Sequence, residues 1–206
     1  MLTRRNMLQG GAAACLLTAS GPVGASASWP APLNPALLAR ARAELEHKRF
    51  FFQHSDLFAI ADFSLPSGEE RFHLIETASG RVTSYHVAHG RGSDPMHSGY
   101  VHQFSDEPGS KASSAGAYVT TEFYYGKYGK SLALKGLDWS NRHAEARAIV
   151  IHSAPYAEPE VLDRYGKLGR SEGCFALSGA SHRAILERLG PGRMLYCDKL
   201  AAGGAA

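Results

Sequence analysis

Short apolar segments separated by turn residues fill the middle of this 206-residue chain, and they constrain its fold more than any other feature. Strand candidates lie at residues 57–63, 71–76 and 82–88, with the turn segments 66–68 and 79–80 between them. Runs of this length bounded by Gly, Pro and Ser are typical of antiparallel strands joined by tight turns. We therefore predict a β-meander in this part of the chain.

The remaining segments extend this pattern. Asn34 is predicted to cap a helix that has Pro35 in its first turn and ends near residue 49. The polar span 89–115 is predicted to be a structured loop. Further strands are expected at residues 117–123, 131–137, 148–152 and 194–197, and short helices at 141–147, 158–165 and 181–189. The predicted fold class is mainly β with peripheral short helices.

Residues 1–27 have the pattern of a twin-arginine signal peptide. Arg4 and Arg5 precede a weakly apolar stretch, and Ala25 and Ala27 fit a small-x-small cleavage site. We expect cleavage after Ala27 and a periplasmic location, with no stable membrane insertion afterwards; retention as an uncleaved anchor is the alternative. Residues 28–56 then form a lead-in and helix, and residues 57–206 form the main domain.

The charge balance argues against a polyanionic partner. The chain has 22 basic and 19 acidic residues, and the signal segment holds two of the basic residues and none of the acidic ones. The remaining chain therefore has 20 basic and 19 acidic residues. A nearly neutral domain gives no electrostatic reason to expect nucleic acid or an anionic membrane surface as a partner.

One cysteine has the surroundings of a nucleophile. Cys174 follows Ser171 and Gly173 in a tight polar turn, and His152 ends the apolar run that precedes this turn. A histidine can deprotonate a thiol, and a glycine lets backbone N–H groups approach a reacting carbonyl. We predict a Cys174/His152 acyl-transfer site, with the N–H groups of Gly173 and Cys174 holding the oxyanion. Ser171 either orients the site or only forms the turn.

A structural role for the same cysteine remains open. Cys174 and Cys197 would be the two cysteines left after cleavage, and cysteines in an oxidising compartment can pair. We favour a free Cys174, with Cys197 buried in the last strand. The loop histidines have spacings that match no zinc motif, and no cofactor motif is present, so no metal or cofactor is expected; these histidines are His86, His89, His97 and His102.

Several ordered segments then indicate a family. HGRGS at residues 89–93, SSAGAY at 113–118, YGKYGKSL at 125–132, IVIH at 149–152 and GRSEGC at 169–174 follow one another in the chain. From about residue 57 onward, the sequence resembles the L,D-transpeptidases of the YkuD type, in the branch called catalytic domain 2.

This resemblance implies a YkuD-like β-sandwich or barrel-like catalytic domain that cross-links peptidoglycan. Cys174 would be the nucleophile and His152 its base, and Ser171 and Gly173 match the other motif positions. Donor and acceptor stem peptides would be the substrates, and carbapenems would be covalent inhibitors. Arg170 could bind a substrate carboxylate. The other candidate substrate contacts are Glu172, Ser153, Tyr118, Tyr156 and His89.

Three other functions compete with this prediction. The same acyl-enzyme could be resolved by water, which would make the protein an L,D-carboxypeptidase or an amidase. A sortase-like transpeptidase also places a histidine before the cysteine, but it needs a TLxTC context that residues 171–174 do not supply. A non-catalytic wall-binding module would have no need of a reactive thiol.

Overall fold

The structure is a computed structural model and describes residues 33–200. The predicted signal segment 1–27, its cleavage site and the first residues of the lead-in lie outside the described residues. Within residues 33–200, the regular elements are eight strands, three α-helices and short 3-10 turns. Their bounds are α1 Pro35–His47, β1 Leu57–Asp62, β2 Phe72–Glu76, β3 Val82–Tyr85, β4 Gly116–Gly126, β5 Gly129–Gly136, β6 Val150–Ser153, α2 Pro159–Tyr165, β7 Phe175–Leu177, α3 Gly179–Leu189 and β8 Met194–Asp198.

The strands form one curved sheet in the order β3-β2-β1-β8-β4-β5-β6-β7. The predicted meander is confirmed, because β1, β2 and β3 pair in sequence and antiparallel. Beyond β3, Ala88 forms a bridge with Ala176 of β7. This bridge joins the two ends of the sheet and makes it barrel-like. The predicted fold class, mainly β with short peripheral helices, is therefore confirmed.

The last strand along the chain lies in the middle of the sheet. β8 pairs parallel with β1 and antiparallel with β4. Leu195 and Cys197 enter the main core on one face, whereas Met194 and Tyr196 pack on the face covered by α1. The sequence predicts a strand here, because a short apolar run indicates a buried strand. Such a run does not indicate which strands lie on either side of it in the sheet.

The first helix follows its sequence signals closely. The Asn34 side chain accepts a hydrogen bond from the Ala36 N–H at 2.9 Å, as an N-cap residue does. The buried residues of α1 are Leu37, Ala41 and Leu45. The helix ends at His47, slightly before the predicted end, and a 3-10 turn follows.

Two other elements differ from their predictions. The Ser178 hydroxyl accepts from the Ser181 N–H at 3.2 Å, so α3 begins at Gly179 rather than at residue 181. The sequence did not predict this start, because glycine has a low helix propensity and occupies the first position of α3. The predicted helix at 141–147 is instead a 3-10 turn over Trp139–Asn141, capped by Asp138, with irregular turns after it. No helix in residues 33–200 has the length and apolar character needed to cross a bilayer.

Candidate active site

Two neighbouring parallel strands bring the segments of Cys174 and His152 together. The register of β6 and β7 places His152 opposite Ala176. Cys174 lies in the turn directly before β7, beside the strand that carries His152. Both side chains line one cleft of about 760 Å³. Strand register, rather than nearness in sequence, therefore assembles the predicted pair.

Ser171 holds the turn that precedes the cysteine. Its hydroxyl donates to the Cys174 carbonyl oxygen at 2.7 Å and accepts from the Gly173 N–H at 3.1 Å. Gly173 has a φ of 119°, in a region that L-residues rarely adopt. Of the two roles proposed from the sequence, the hydrogen bonds support the one in which Ser171 shapes the turn.

The amide donors near the thiol differ from the sequence expectation. The Gly173 N–H donates to Ser171, so it is not free to hold an oxyanion as predicted. The hydrogen bonds of the described residues include none from the Cys174 N–H. Within this turn, the Cys174 amide is therefore the donor left to stabilise negative charge on a reacting carbonyl.

The thiol of Cys174 is held in its neutral form. Burial raises its pKa above the ordinary cysteine value, while the Val150 N–H and the Arg147 guanidinium lower it by smaller amounts. The thiol donates a hydrogen bond to the Ala148 carbonyl oxygen at 3.5 Å. Because the thiolate is the nucleophile, this cysteine needs a base before it can attack a carbonyl.

The imidazole of His152 is arranged to be that base. Its Nδ1 donates to the Ser153 carbonyl oxygen at 2.9 Å, which leaves Nε2 without a proton in the neutral ring. Burial lowers the pKa of His152, and the nearby Lys127 charge acts in the same direction. His152 is therefore neutral near pH 7 and can accept a proton through Nε2.

An aromatic side chain that was not among the predicted site residues covers this histidine. Tyr128 lies in the turn between β4 and β5, and its ring stacks on His152 with a centroid distance of 4.3 Å and an interplanar angle of 18°. The Lys127 ammonium lies over the same tyrosine ring. Tyr128 restricts the orientation of the imidazole, and a tyrosine in a hairpin turn carries no sequence signal for such a contact.

The cleft is strongly basic although the chain is nearly neutral. Five basic side chains line it, namely Arg91, Lys111, Lys127, Arg147 and Arg170. The one acidic side chain among its lining residues, Glu172, pairs with Arg91 and lies 3.5 Å from the Lys111 ammonium. This charge distribution favours an anionic ligand, such as a peptide carboxylate. Net charge could not reveal it, because net charge averages over the whole surface.

Arg147 is the most deeply placed of these cations, and sequence reasoning missed it. Its side chain is only 4% exposed and lies 3.6 Å from the Asp106 carboxylate. Its guanidinium donates to the carbonyl oxygens of Ser105 and Ala112. Arg147 thus fixes the long loop 89–115 next to the cysteine turn and places a positive charge near the thiol.

Three predicted substrate contacts do line the cleft. They are Arg170, Glu172 and Tyr156. Arg170 also donates to the carbonyl oxygens of Asp94 and Pro95, so it anchors the long loop as well as facing the cleft. Burial raises the pKa of the Tyr156 hydroxyl, which keeps that group a neutral donor and acceptor at physiological pH.

Two predicted substrate contacts are wrong because both side chains are fully buried. Tyr118 packs in the main core, and its hydroxyl donates to the Ser114 carbonyl oxygen at 2.7 Å. His89 accepts from Arg71 through Nδ1 at 2.7 Å. Neither side chain lines the cleft. The sixth candidate, Ser153, lines a neighbouring cleft instead.

Buried neutral histidines predict a loss of stability in mild acid. Burial lowers the pKa of His73 to about 4 and that of His89 to about 3, and it also lowers those of His152 and His182. An unfolded histidine titrates near 6.5, so the unfolded state binds more protons between pH 6.5 and these folded values. Stability is therefore full above pH 6.5 and falls as the pH decreases. We expect a loss of about 2 kcal/mol each for His73 and His89 between pH 7 and pH 5.

Urea unfolding at pH 7 and pH 5 measures this loss. His73→Gln should reduce the difference between the two pH values, whereas the same change at the exposed residue His54 should leave it unchanged. An unfolding free energy that is equal at both pH values would contradict the assignment of neutral buried histidines.

The loop histidines have separate hydrogen-bond partners. His97 Nε2 lies 2.8 Å from the Leu168 carbonyl oxygen, and His102 Nε2 lies 2.8 Å from the Ser98 hydroxyl. Across the part of the chain that the structure describes, no three His, Cys, Asp or Glu side chains are grouped as metal ligands would be. Cys174 and Cys197 are both free.

Comparisons with solved structures return L,D-transpeptidases. One from Mycobacterium smegmatis has a TM-score of 0.43 at 12% identity, with 69% of this chain and 58% of that chain covered. LdtMt1 in complex with imipenem has a TM-score of 0.42 at 15% identity, over 69% and 59%. One from Xylanimonas cellulosilytica has a TM-score of 0.41 at 13% identity, over 77% and 69%. No curated protein matches the chain.

The family comparison covers most of the sequence. The family model YkuD_2, described as the L,D-transpeptidase catalytic domain, matches residues 32–197. This span runs from the start of the first helix to the last strand and includes both cleft-lining strands. The chain belongs to the L,D-transpeptidase catalytic domain family.

Proposed function

We propose that the protein is a peptidoglycan L,D-transpeptidase that works through an acyl-enzyme on Cys174. One observation supports the proposal most directly: the Cys174 thiol and the His152 imidazole line the same cleft, and five basic side chains line it with them. Membership of the family supports the substrate class. The reaction needs no metal or cofactor, since a thiol, a base and an amide donor suffice for acyl transfer.

The first half-reaction forms a thioester. His152 Nε2 takes the proton from the Cys174 thiol, and the thiolate attacks a carbonyl carbon of the donor stem peptide. The Cys174 N–H stabilises the oxyanion of the tetrahedral intermediate. The C–N bond then breaks, and the protonated His152 gives its proton to the leaving amine. The donor acyl group remains attached to the cysteine sulfur.

The second half-reaction uses the same base. An amine of the acceptor stem loses a proton to His152 and attacks the thioester carbon. The cysteine sulfur leaves as a thiolate and takes the proton back from His152, which restores the resting pair. If water replaces the amine, the same steps produce a hydrolysed donor, so access of the acceptor decides between transpeptidase and hydrolase.

The surrounding charges suit these steps. The Arg147 guanidinium lowers the pKa of the thiol, so it stabilises the thiolate once His152 has removed the proton. The other cations of the cleft can hold carboxylates of the stem peptides. Tyr128 keeps the imidazole in place through both proton transfers.

Two further parts of the proposal concern location and inhibition. The twin-arginine segment would export the protein to the periplasm, where peptidoglycan is accessible. A carbapenem would acylate Cys174, because its strained lactam carbonyl is a substrate for the same thiolate. The complex of LdtMt1 with imipenem concerns a similar protein and supports this choice of probe.

Intact-mass spectrometry tests the proposed function directly. The protein is incubated with purified muropeptides and, separately, with imipenem. We expect a cross-linked muropeptide dimer and a covalent imipenem adduct, both lost in Cys174→Ala and both retained in Cys197→Ala. Cys197 is the matched control because it is free but buried in the core.

The other outcomes have distinct meanings. Trimmed monomers without dimers would identify a hydrolase that uses the same acyl-enzyme. Neither product nor adduct, with a disulfide found between the two cysteines, would overturn the enzymatic function in favour of a wall-associated structural protein.

A further inference from the structure

Three fully buried polar side chains lie next to the segment that pairs with the cysteine turn. They are Arg71, His89 and Asp94, and the reaction steps described above use none of them. His89 opens the HGRGS segment, which is also without a role in those steps. A connected polar network inside a protein favours one arrangement of the parts that it joins, because other arrangements leave buried polar groups unpaired.

The backbone at Ala88 and His89 holds the chain on both sides of Cys174. Before the cysteine, the Ser171 N–H donates to the His89 carbonyl oxygen at 2.8 Å. After the cysteine, the Ala88 N–H donates to the Ala176 carbonyl oxygen at 2.8 Å. The position of the Cys174 backbone therefore depends on where Ala88 and His89 are held.

Arg71 fixes the backbone that leads into these two residues. Its Nε and Nη2 both donate to the Val87 carbonyl oxygen, at 3.1 and 2.9 Å. Its Nη1 donates to the Leu65 carbonyl oxygen at 2.7 Å, and Nη2 also donates to His89 Nδ1 at 2.7 Å. Because a guanidinium is a rigid fork of donors, one side chain fixes both the backbone and the imidazole ring.

The His89 ring connects Arg71 to a carboxylate. A guanidinium only donates, so His89 Nδ1 accepts and the proton of the neutral ring lies on Nε2. Burial lowers the pKa of His89 to about 3, and the Arg71 charge acts in the same direction, so the ring is neutral at pH 7. Its Nε2 lies 3.4 Å from Asp94 Oδ2. A neutral ring thus stands between a buried cation and a buried anion.

Asp94 joins this network to the residue that precedes Ser171. Its carboxylate accepts from the N–H groups of Ser98 and Gly99, both at 2.8 Å, and these bonds fix its orientation. Its backbone carbonyl oxygen accepts from the Arg170 guanidinium. The cysteine turn is therefore held through its backbone on one side and through the Arg170 side chain on the other.

We propose that Arg71, His89 and Asp94 are positioning residues for the acylation of Cys174. This inference rests on the proposed function. None of the three lines the cleft; they hold the turn so that the Cys174 thiol and N–H meet the same donor carbonyl. A displacement of about 1 Å in a reacting group can lower a rate by about 10²-fold. A merely structural network would stabilise the fold and leave the reactivity of the folded protein unchanged.

Two replacements of His89 separate its hydrogen bonds from its bulk. His89→Leu fills similar space but has no polar atom, so Arg71 and Asp94 lose their connection. His89→Gln has an oxygen that can accept from Arg71 and an NH₂ group that can donate to Asp94. We expect the rate constant for imipenem acylation of folded protein to fall about 100-fold in His89→Leu and to stay within about 10-fold of wild type in His89→Gln.

His73→Leu is the matched control. His73 is also fully buried, and its Nδ1 lies 2.8 Å from the Ser84 hydroxyl within the β2–β3 pair. Urea unfolding should show a loss of stability in both leucine variants, whereas acylation should slow only in His89→Leu. Iodoacetamide needs the thiolate but no oxyanion donor. Its reaction with Cys174 should therefore be slowed at least about 10-fold less than imipenem acylation in His89→Leu.

Hydrogen exchange reports the position of the turn without any chemistry at the thiol. The Ser171 N–H, which donates to the His89 carbonyl oxygen, should exchange faster in His89→Leu than in His73→Leu once the rates are corrected for global stability. If wild type forms no imipenem adduct, the proposed function fails. The exchange of the Ser171 N–H then decides by itself whether the network holds the turn.

Three results would overturn the proposal: wild-type acylation in His89→Leu, an equal loss of acylation in His73→Leu, or a glutamine variant as slow as the leucine variant. If His89→Leu does not fold, Asp94→Asn takes its place, because an amide keeps the size of the carboxylate and removes the charge beside His89. Acylation at least about 10-fold slower than wild type in Asp94→Asn would support the positioning role, and an unchanged rate would exclude it.

Discussion

Replacing His152 with glutamine should lower the rate of Cys174 acylation by about 10³-fold at pH 7, near the middle of the range for loss of a general base. The reason lies in the resting state of the pair. Burial raises the pKa of the thiol and lowers that of the imidazole, so both groups are neutral and the thiolate forms only as His152 accepts the proton. A glutamine fills similar space but cannot take the proton.

The pH profile of imipenem acylation distinguishes this mechanism from a preformed ion pair. The wild-type rate should rise as the pH passes the lowered pKa of His152, which lies below 6.5, and then remain level through neutral pH. The His152→Gln rate should continue to rise into the alkaline range, because hydroxide must then remove the thiol proton. His102→Gln, at an exposed loop position, is the control. A variant within a few-fold of wild type at every pH would exclude His152 as the base.

Gly173→Ala should abolish acylation and destabilise the protein by several kcal/mol, since it combines backbone strain with steric overlap. Gly173 has a φ of 119°. An added Cβ would lie 2.7 Å from the Ala112 carbonyl oxygen, 2.9 Å from Arg147 Nη2 and 3.0 Å from Ile149 Cδ1. The backbone of the cysteine turn would have to shift, and the thiol would move with it.

Gly80 is a control that has a positive φ but has room for an added Cβ. Gly80 also has a positive φ, of 68°, but an added Cβ there meets nothing within 4 Å. Gly80→Ala should therefore cost only about 1–2 kcal/mol, the ordinary penalty of the left-handed region, and acylation should be unchanged. Urea unfolding and imipenem adduct formation measure both effects. A Gly173→Ala protein as stable and as reactive as Gly80→Ala would show that the turn tolerates a side chain.

Sequence reasoning found the elements of the fold because their signals are local. The meander follows from apolar runs between turns, and α1 follows from the Asn34 cap and a spaced apolar face. The position of β8 between β1 and β4 could not be derived, because long-range pairing depends on the whole sheet. The start of α3 was missed because the cap at Ser178 precedes a glycine.

Residues that line the cleft were predicted where one sequence motif contains them, and they were missed where folding brings distant residues together. Cys174 and His152 stand in recognisable segments, and the strand register places them together. Arg147 approaches the cysteine turn through hydrogen bonds to a loop more than thirty positions away in the chain. Tyr118 was predicted to contact the substrate, but its side chain points from β4 into the core and is fully buried. Composition and spacing cannot distinguish these cases, because they do not give the direction of a side chain.

The central place of β8 also affects the timing of folding. The ribosome makes this strand after all the other strands, yet β1 and β4 meet only through it. A nascent chain that has not reached residue 194 therefore exposes the unpaired edges of both strands, and such edges promote association with other chains. The sheet can be completed only once the ribosome has made residues 194–198. A chaperone that covers these edges during synthesis would therefore protect the chain until β8 is available.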